Sequence, residues 1–220
     1  MNRRKFGCAL AGSVIGAGLG RGSDLFGQAA NLAAPGEESG KAPFDISIML
    51  WTVFRELPFE QRLEKVAEAG YRNVELVGEY SKWSGADFDR ANARCKGLDI
   101  RFDCTAGLKF GISNPVHREP LLAELSRTLP IMERMECPTI IVMSGNVVPG
   151  MPRQAQHQSC VESLKAAAKV VESKTIDGTP VRLLLETIDP EENPQYFLTQ
   201  VNQALQVVQE VASSSGVFAL

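Results

Sequence analysis

From residue 44 onward, short apolar runs alternate with longer stretches of helical periodicity. The runs are DISIMLW (45–51), NVELV (73–77), DIRFDCTA (99–106), TIIVMSG (139–145), VRLLLE (181–186) and a final GVFAL (216–220). Their nearly continuous apolar character is that of strands buried on both faces. After the first run, Phe59, Leu63, Val66 and Ala67 recur on one helical face, and Gly70 supplies a C-terminal stop. Phe88, Ala91 and Cys95 form a thinner stripe, expected to end at Gly97. Residues 119–135 are helical in pattern but carry Pro130, which predicts a kink or two abutting helices. Two longer helices follow. One presents Val161, Leu164, Ala168 and Val171 on its apolar face, the other Leu198, Val201, Leu205 and Val208.

Strict alternation of strand and helix implies parallel strands joined by crossover helices. Two architectures satisfy it, an open doubly wound sheet and a (β/α)8 TIM barrel. The doubly wound sheet ordinarily places a glycine-rich phosphate loop after its first strand, and here that position reads WTVFRELPFE, without a glycine. The α/β barrel is therefore expected. Its strands run short of the full count: about five βα units and the start of strand six occupy residues 44–220, where a complete barrel takes about 250 residues. The expectation is an incomplete, C-terminally truncated barrel, because a chain stopping inside GVFAL leaves an apolar strand edge unpaired. A complete open domain of five or six strands is the alternative.

Residues 1–43 differ in character. Arg3, Arg4 and Lys5 form a basic segment, and Phe6 to Gly20 is mildly apolar but short of the about 20 residues of a stable membrane span. Arg3-Arg4-Lys5-Phe6 resembles a twin-arginine export signal, with Gly27-Gln28-Ala29 as a small-residue cleavage site and APGEESGKAP as a linker. Cys8 sits too near the arginines for lipid attachment. The expected location is periplasmic, or cytoplasmic if the signal does not function. Across the 220 residues the formal charge is −3, and no basic block follows the N-terminus, so nucleic acid is disfavoured as a partner and a small molecule is favoured. Self-association into a homo-oligomer is left open. Cys95, Cys104, Cys137 and Cys160 lack metal-ligand spacing and read as small core residues, with a disulfide pair as the alternative in an oxidising compartment.

Active sites of parallel barrels gather at the C-terminal ends of the strands. That rule selects Trp51, Glu75, Thr105, Asn146 and Glu186. Glu186 closes a strand that is otherwise apolar after Arg182, and a carboxylate there must be ion-paired, protonated or bound to a cation. Glu75 is a candidate for holding a substrate hydroxyl or supporting a residue that does, or else a buried partner of Arg72 or a lysine. Trp51 is either an apolar wall for substrate or core, and Asn146 either a substrate contact or a turn residue. His117 and His157 precede or open predicted helices and read as surface or capping residues.

GYRNVELV, TIIVMSGNVVPG and especially VRLLLETIDPEENPQYFLTQVNQALQVVQEV resemble hydroxypyruvate isomerase and its relatives in the xylose isomerase-like barrel superfamily. The resemblance implies that Glu186 is both a ligand of a divalent metal (Mg²⁺ or Mn²⁺) and one of two catalytic glutamates, the remaining ligands and second glutamate belonging to strands six to eight. It also implies an isomerase or epimerase that moves a proton through an enediolate on a small hydroxy-carbonyl compound, of the hydroxypyruvate/tartronate semialdehyde type or a sugar. Such chemistry needs a carboxylate base beside the substrate and a group that steadies the developing oxyanion. The third strand departs from the family, with Asp103, Cys104 and Thr105 where the isomerases carry histidine and asparagine. The alternative is a non-catalytic exported sugar-binding or remnant barrel protein.

Overall fold

The computed structural model describes residues 45–211. The expected export signal and linker over 1–43, Cys8 included, and the expected strand over 216–220 lie outside the described residues. Five strands form one parallel sheet: β1 (Ser47–Met49), β2 (Asn73–Val77), β3 (Arg101–Ala106), β4 (Thr139–Met143) and β5 (Arg182–Glu186). They lie side by side in chain order, each pair parallel. A doubly wound sheet reverses its strand order at a switch point. This sheet has no reversal, so these are consecutive βα units of the TIM barrel architecture.

Helices α1 (Phe59–Glu68), α2 (Gly85–Leu98), α3 (Arg118–Arg134), α4 (Arg153–Val171) and α5 (Val201–Val211) follow the five strands in turn. Alternate strand residues face them. Val74, Leu76, Phe102, Ile140, Val142, Leu183 and Leu185 share one core with Leu63, Val66, Phe88, Leu125 and Leu164. The opposite, inner face carries a smaller cluster of Cys104, Ala106 and Ile141, with Val77, Met143 and Leu184 packed on it. All four cysteines among the described residues are free and buried.

Local chemistry explains where elements stop. α1 ends as expected: Gly70, at φ +89°, donates to the Ala67 carbonyl while Tyr71 donates to Val66, the paired bonds of a Schellman motif. α2 runs past Gly97, and Asp99 takes the left-handed position at φ +55°, a conformation that Asp tolerates better than most residues. At its start, Ser84 and Asp87 form a reciprocal capping box.

Two expectations about helices are corrected. Pro130 neither splits nor ends α3, which is continuous from Arg118 to Arg134. Pro130 and Ser126, whose carbonyl loses its partner to the proline, both lie on the exposed face, where water can take that carbonyl. In α5 the buried residues are Ala204, Val207 and Val211, whereas Val201 is 54% and Leu205 38% exposed. Leu198 is buried but precedes the helix.

The first strand is shorter than its apolar run. It closes at Met49, and Leu50–Thr52 turns into a 3-10 helix held by Arg62, whose guanidinium donates to the Leu50 carbonyl. Arg62 also faces Glu79 at 3.7 Å, the two side chains only 11% and 12% exposed, and Glu79 accepts from the Val77 amide at 2.5 Å. This buried pair ties α1 to the ends of β1 and β2.

Candidate active site

The inner face follows from register. Met49 lies opposite Glu75, Glu75 opposite Cys104, and Met143 opposite Glu186, so these side chains share the side of the sheet turned away from the helices. A β-bulge sets the phase on β3, where Phe102 pairs with Val74 but Cys104, not Asp103, pairs with Glu75. The extra residue reverses the alternation that follows it. Thr105, expected at the mouth, instead turns outward, fully buried, with its hydroxyl donating to the Leu76 carbonyl at 2.9 Å and lying 3.0 Å from the Tyr80 hydroxyl.

Glu75 and Glu186 therefore come together on the inner face, both half-buried. Among the described residues neither makes an ion pair or hydrogen bond; Arg72, the expected partner of Glu75, faces Asp99 at 3.5 Å. Burial, then the Glu186 charge, then that of Asp103, raise the Glu75 carboxyl from an ordinary 4.5 to about 7. Burial likewise raises Glu186. Asp103 is raised by burial too, offset in part by the Ser47 hydroxyl that donates to it at 2.7 Å. Asp103 also feels the Arg101 charge, so among the described residues it is Glu75 and Glu186 that face inward without a compensating cation, Glu75 poised to gain or lose a proton near neutrality.

Above them, three loops form the rim. Ser113, after β3, donates its amide to the Ser144 carbonyl at 2.9 Å and its hydroxyl to the Asn146 carbonyl at 2.9 Å. Val147 donates to Gln195 at 2.8 Å, Phe197 to Gly145 at 2.9 Å, and Asn146 bridges Tyr196 in antiparallel fashion. Gln156, fully buried at the start of α4, grips the Val148 amide at 2.9 Å and the Met151 carbonyl at 2.8 Å. Gly111 makes the closest approach: a Cβ there would lie 2.4 Å from the Gly145 Cα and 2.5 Å from the Ser144 carbonyl oxygen.

Asn146 takes part through its backbone, and its side chain is exposed at the rim. Trp51 is 47% exposed on the turn after β1 and has no hydrogen bond or ring contact among the described residues. The histidines lie elsewhere. His117 packs edge-on against Phe110, and His157 on α4 meets Glu210 on α5 at 2.8 Å. Sequence reasoning passed over Tyr196, whose hydroxyl reaches the Met143 sulfur at 3.8 Å on the inner face.

A hard divalent cation takes about six oxygen ligands. Among the described residues no group of three or more His, Cys, Asp or Glu side chains converges as such a site would. Glu186 supplies carboxylate oxygens free of other partners, but the described residues do not complete a donor set. No helix among them is long and apolar enough to cross a membrane.

A family model described as xylose isomerase-like TIM barrel matches residues 63–220. A 2-oxo-tetronate isomerase of Pectobacterium atrosepticum is 26% identical over 161 residues, covering 70% of this chain and 59% of that protein. Its namesake from Haemophilus influenzae is 26% identical over 168 residues, covering 74% of this chain and 62% of that protein. The chain thus spans about three fifths of the length of these curated relatives. Among solved structures, an AP endonuclease of family 2 from Brucella melitensis superposes with a TM-score of 0.64 at 20% identity, covering 79% of this chain and 67% of that one. D-psicose 3-epimerase from Clostridium cellulolyticum H10 gives 0.60 at 18%, covering 76% and 60%. The IOLI protein with a bound zinc atom gives 0.62 at 14%, covering 79% and 61%.

Proposed function

The chain belongs to the xylose isomerase-like TIM barrel family, and from that premise we propose that the protein is an isomerase or epimerase of a small hydroxy-carbonyl compound. The observation that carries this reading is the pair of half-buried carboxylates, Glu75 and Glu186, on one face without a cation beside either among the described residues. Glu186 acts as base and removes the proton from the carbon next to the carbonyl. Glu75, which holds its own proton over much of the range up to about 7, hydrogen-bonds the carbonyl oxygen as it gains charge. Glu186 then returns the proton to the former carbonyl carbon, while Glu75 gives its proton to the former carbonyl oxygen and takes the one from the adjacent hydroxyl, so carbonyl and hydroxyl exchange places.

The relatives named 2-oxo-tetronate isomerase favour a short hydroxylated 2-oxo acid over a hexose, and hydroxypyruvate fits the same chemistry. Glu186 offers one ligand to Mg²⁺ or Mn²⁺, and no step above depends on that ion. Asn146 and Trp51 remain proposed substrate contacts at the rim. Export by the twin-arginine route is supported by Arg3, Arg4 and Phe6.

The test is isomerisation of short hydroxy-oxo acids by the intact protein with Mn²⁺. Glu186→Gln, which cannot accept a proton, is expected to lower turnover about 100-fold or more while substrate still binds. Unchanged turnover overturns the assignment of the base. Binding without turnover by the wild-type protein gives the non-catalytic sugar-binding reading instead.

A further inference from the structure

The Tyr196 amide donates to the Asn193 carbonyl at 3.1 Å within its own turn, but the course of the side chain is set from another loop. The antiparallel bridge to Asn146, with the flanking bonds from Val147 to Gln195 and Phe197 to Gly145, draws the loop after β5 across the end of β4. The phenol then descends onto the inner face, and its hydroxyl meets the Met143 sulfur at 3.8 Å. Met143 is the register partner of Glu186. Neighbouring strands lie about 4.8 Å apart, so the residue this hydroxyl contacts sits directly beside the proposed base on the next strand. A thioether is a weak acceptor, which leaves a strong donor, held by backbone bonds, with little to satisfy it on the face where substrate would lie.

We propose that Tyr196 is a specificity-determining residue that donates its hydroxyl hydrogen bond to a substrate hydroxyl near the carbon deprotonated by Glu186. This rests on the isomerase reading above. The Met143 sulfur holds the phenol in place until substrate arrives, and the exchange of a poor acceptor for a good one favours hydroxylated acids over their deoxy counterparts. Because the loop is positioned by backbone atoms, removing the hydroxyl does not release it.

Tyr196→Phe in the intact protein tests the proposal. One neutral hydrogen bond corresponds to a loss of about 3- to 10-fold, expected as a rise in KM exceeding any fall in kcat for a hydroxylated 2-oxo acid. For the analogue lacking that hydroxyl, the variant and wild type are expected to match. An unchanged KM, or an equal loss on both compounds, overturns the proposal, the second result marking a merely structural role. If the wild-type protein binds these acids without isomerising them, calorimetric affinities replace KM. A 3- to 10-fold loss confined to the hydroxylated compound then supports Tyr196 although the isomerase reading has failed. Absence of any binding by the wild-type protein overturns both.

Discussion

Replacing Glu75 with glutamine is expected to stabilise the protein by an amount that grows as pH rises from about 4.5 to about 7 and is complete above that. The unfolded chain titrates this group near 4.5 and the folded one near 7. Between those values the native state holds the extra proton, so Glu75 lowers stability progressively as pH rises from about 4.5 to about 7 and makes its full unfavourable contribution above that. A displacement of that size corresponds to about 3 kcal/mol for a fully shielded group. Glu75 is only half-buried, and solvent screening reduces the expected effect to about 1–2 kcal/mol. Part of the gain is shared, because removing this charge also relieves Glu186. The assay is urea unfolding of wild type and Glu75→Gln at pH 5 and pH 8, with chelator present so that no cation neutralises the pair. The expected result is near-equal stability at pH 5 and a glutamine variant more stable by about 1–2 kcal/mol at pH 8. A glutamine variant that is less stable at pH 8, or that gains equally at both, refutes the description of Glu75 as an uncompensated carboxylate.

Two further substitutions probe the frame around the site. Gly111→Ala forces a methyl against backbone atoms of Ser144 and Gly145 that cannot swing aside; a loss of about 3 kcal/mol is expected by urea unfolding, and an unchanged midpoint contradicts the close approach. Arg62→Met leaves the buried Glu79 without its cation and is expected to cost about 3 kcal/mol, part of it restored by adding Glu79→Gln. Loss of the same size in the single and double variants, from thermal unfolding, removes the pair from the account.

The strands were legible because their burial on both faces leaves little room for polar residues. TIIVM and RLLLE stand out against their flanks, and Glu186 was conspicuous as the one charge at the end of such a run. The phase of β3 was not legible: nothing in RFDCTA marks the bulge that turns Thr105 outward and Cys104 inward. Helix α5 misled for a different reason. Its valines and leucines occupy more than one face, so periodicity alone selects no direction, and packing chose Ala204, Val207 and Val211 over Val201 and Leu205. Tyr196 and Gly111 escaped notice because their roles depend on loops meeting across the rim, the first with Asn146 and the second with Gly145. Pairings at that separation leave no periodic trace.

The rim loops are joined mainly by main-chain atoms: Val147 to Gln195, Phe197 to Gly145, Ser113 to Ser144. Bonds of this kind survive a change of side chain. Asn146, Val147 and Tyr196 can therefore be exchanged for other residues while the scaffold that presents them keeps its shape. The consequence is evolvability: the side chains at this mouth can change one at a time, each tested by selection against an unaltered frame.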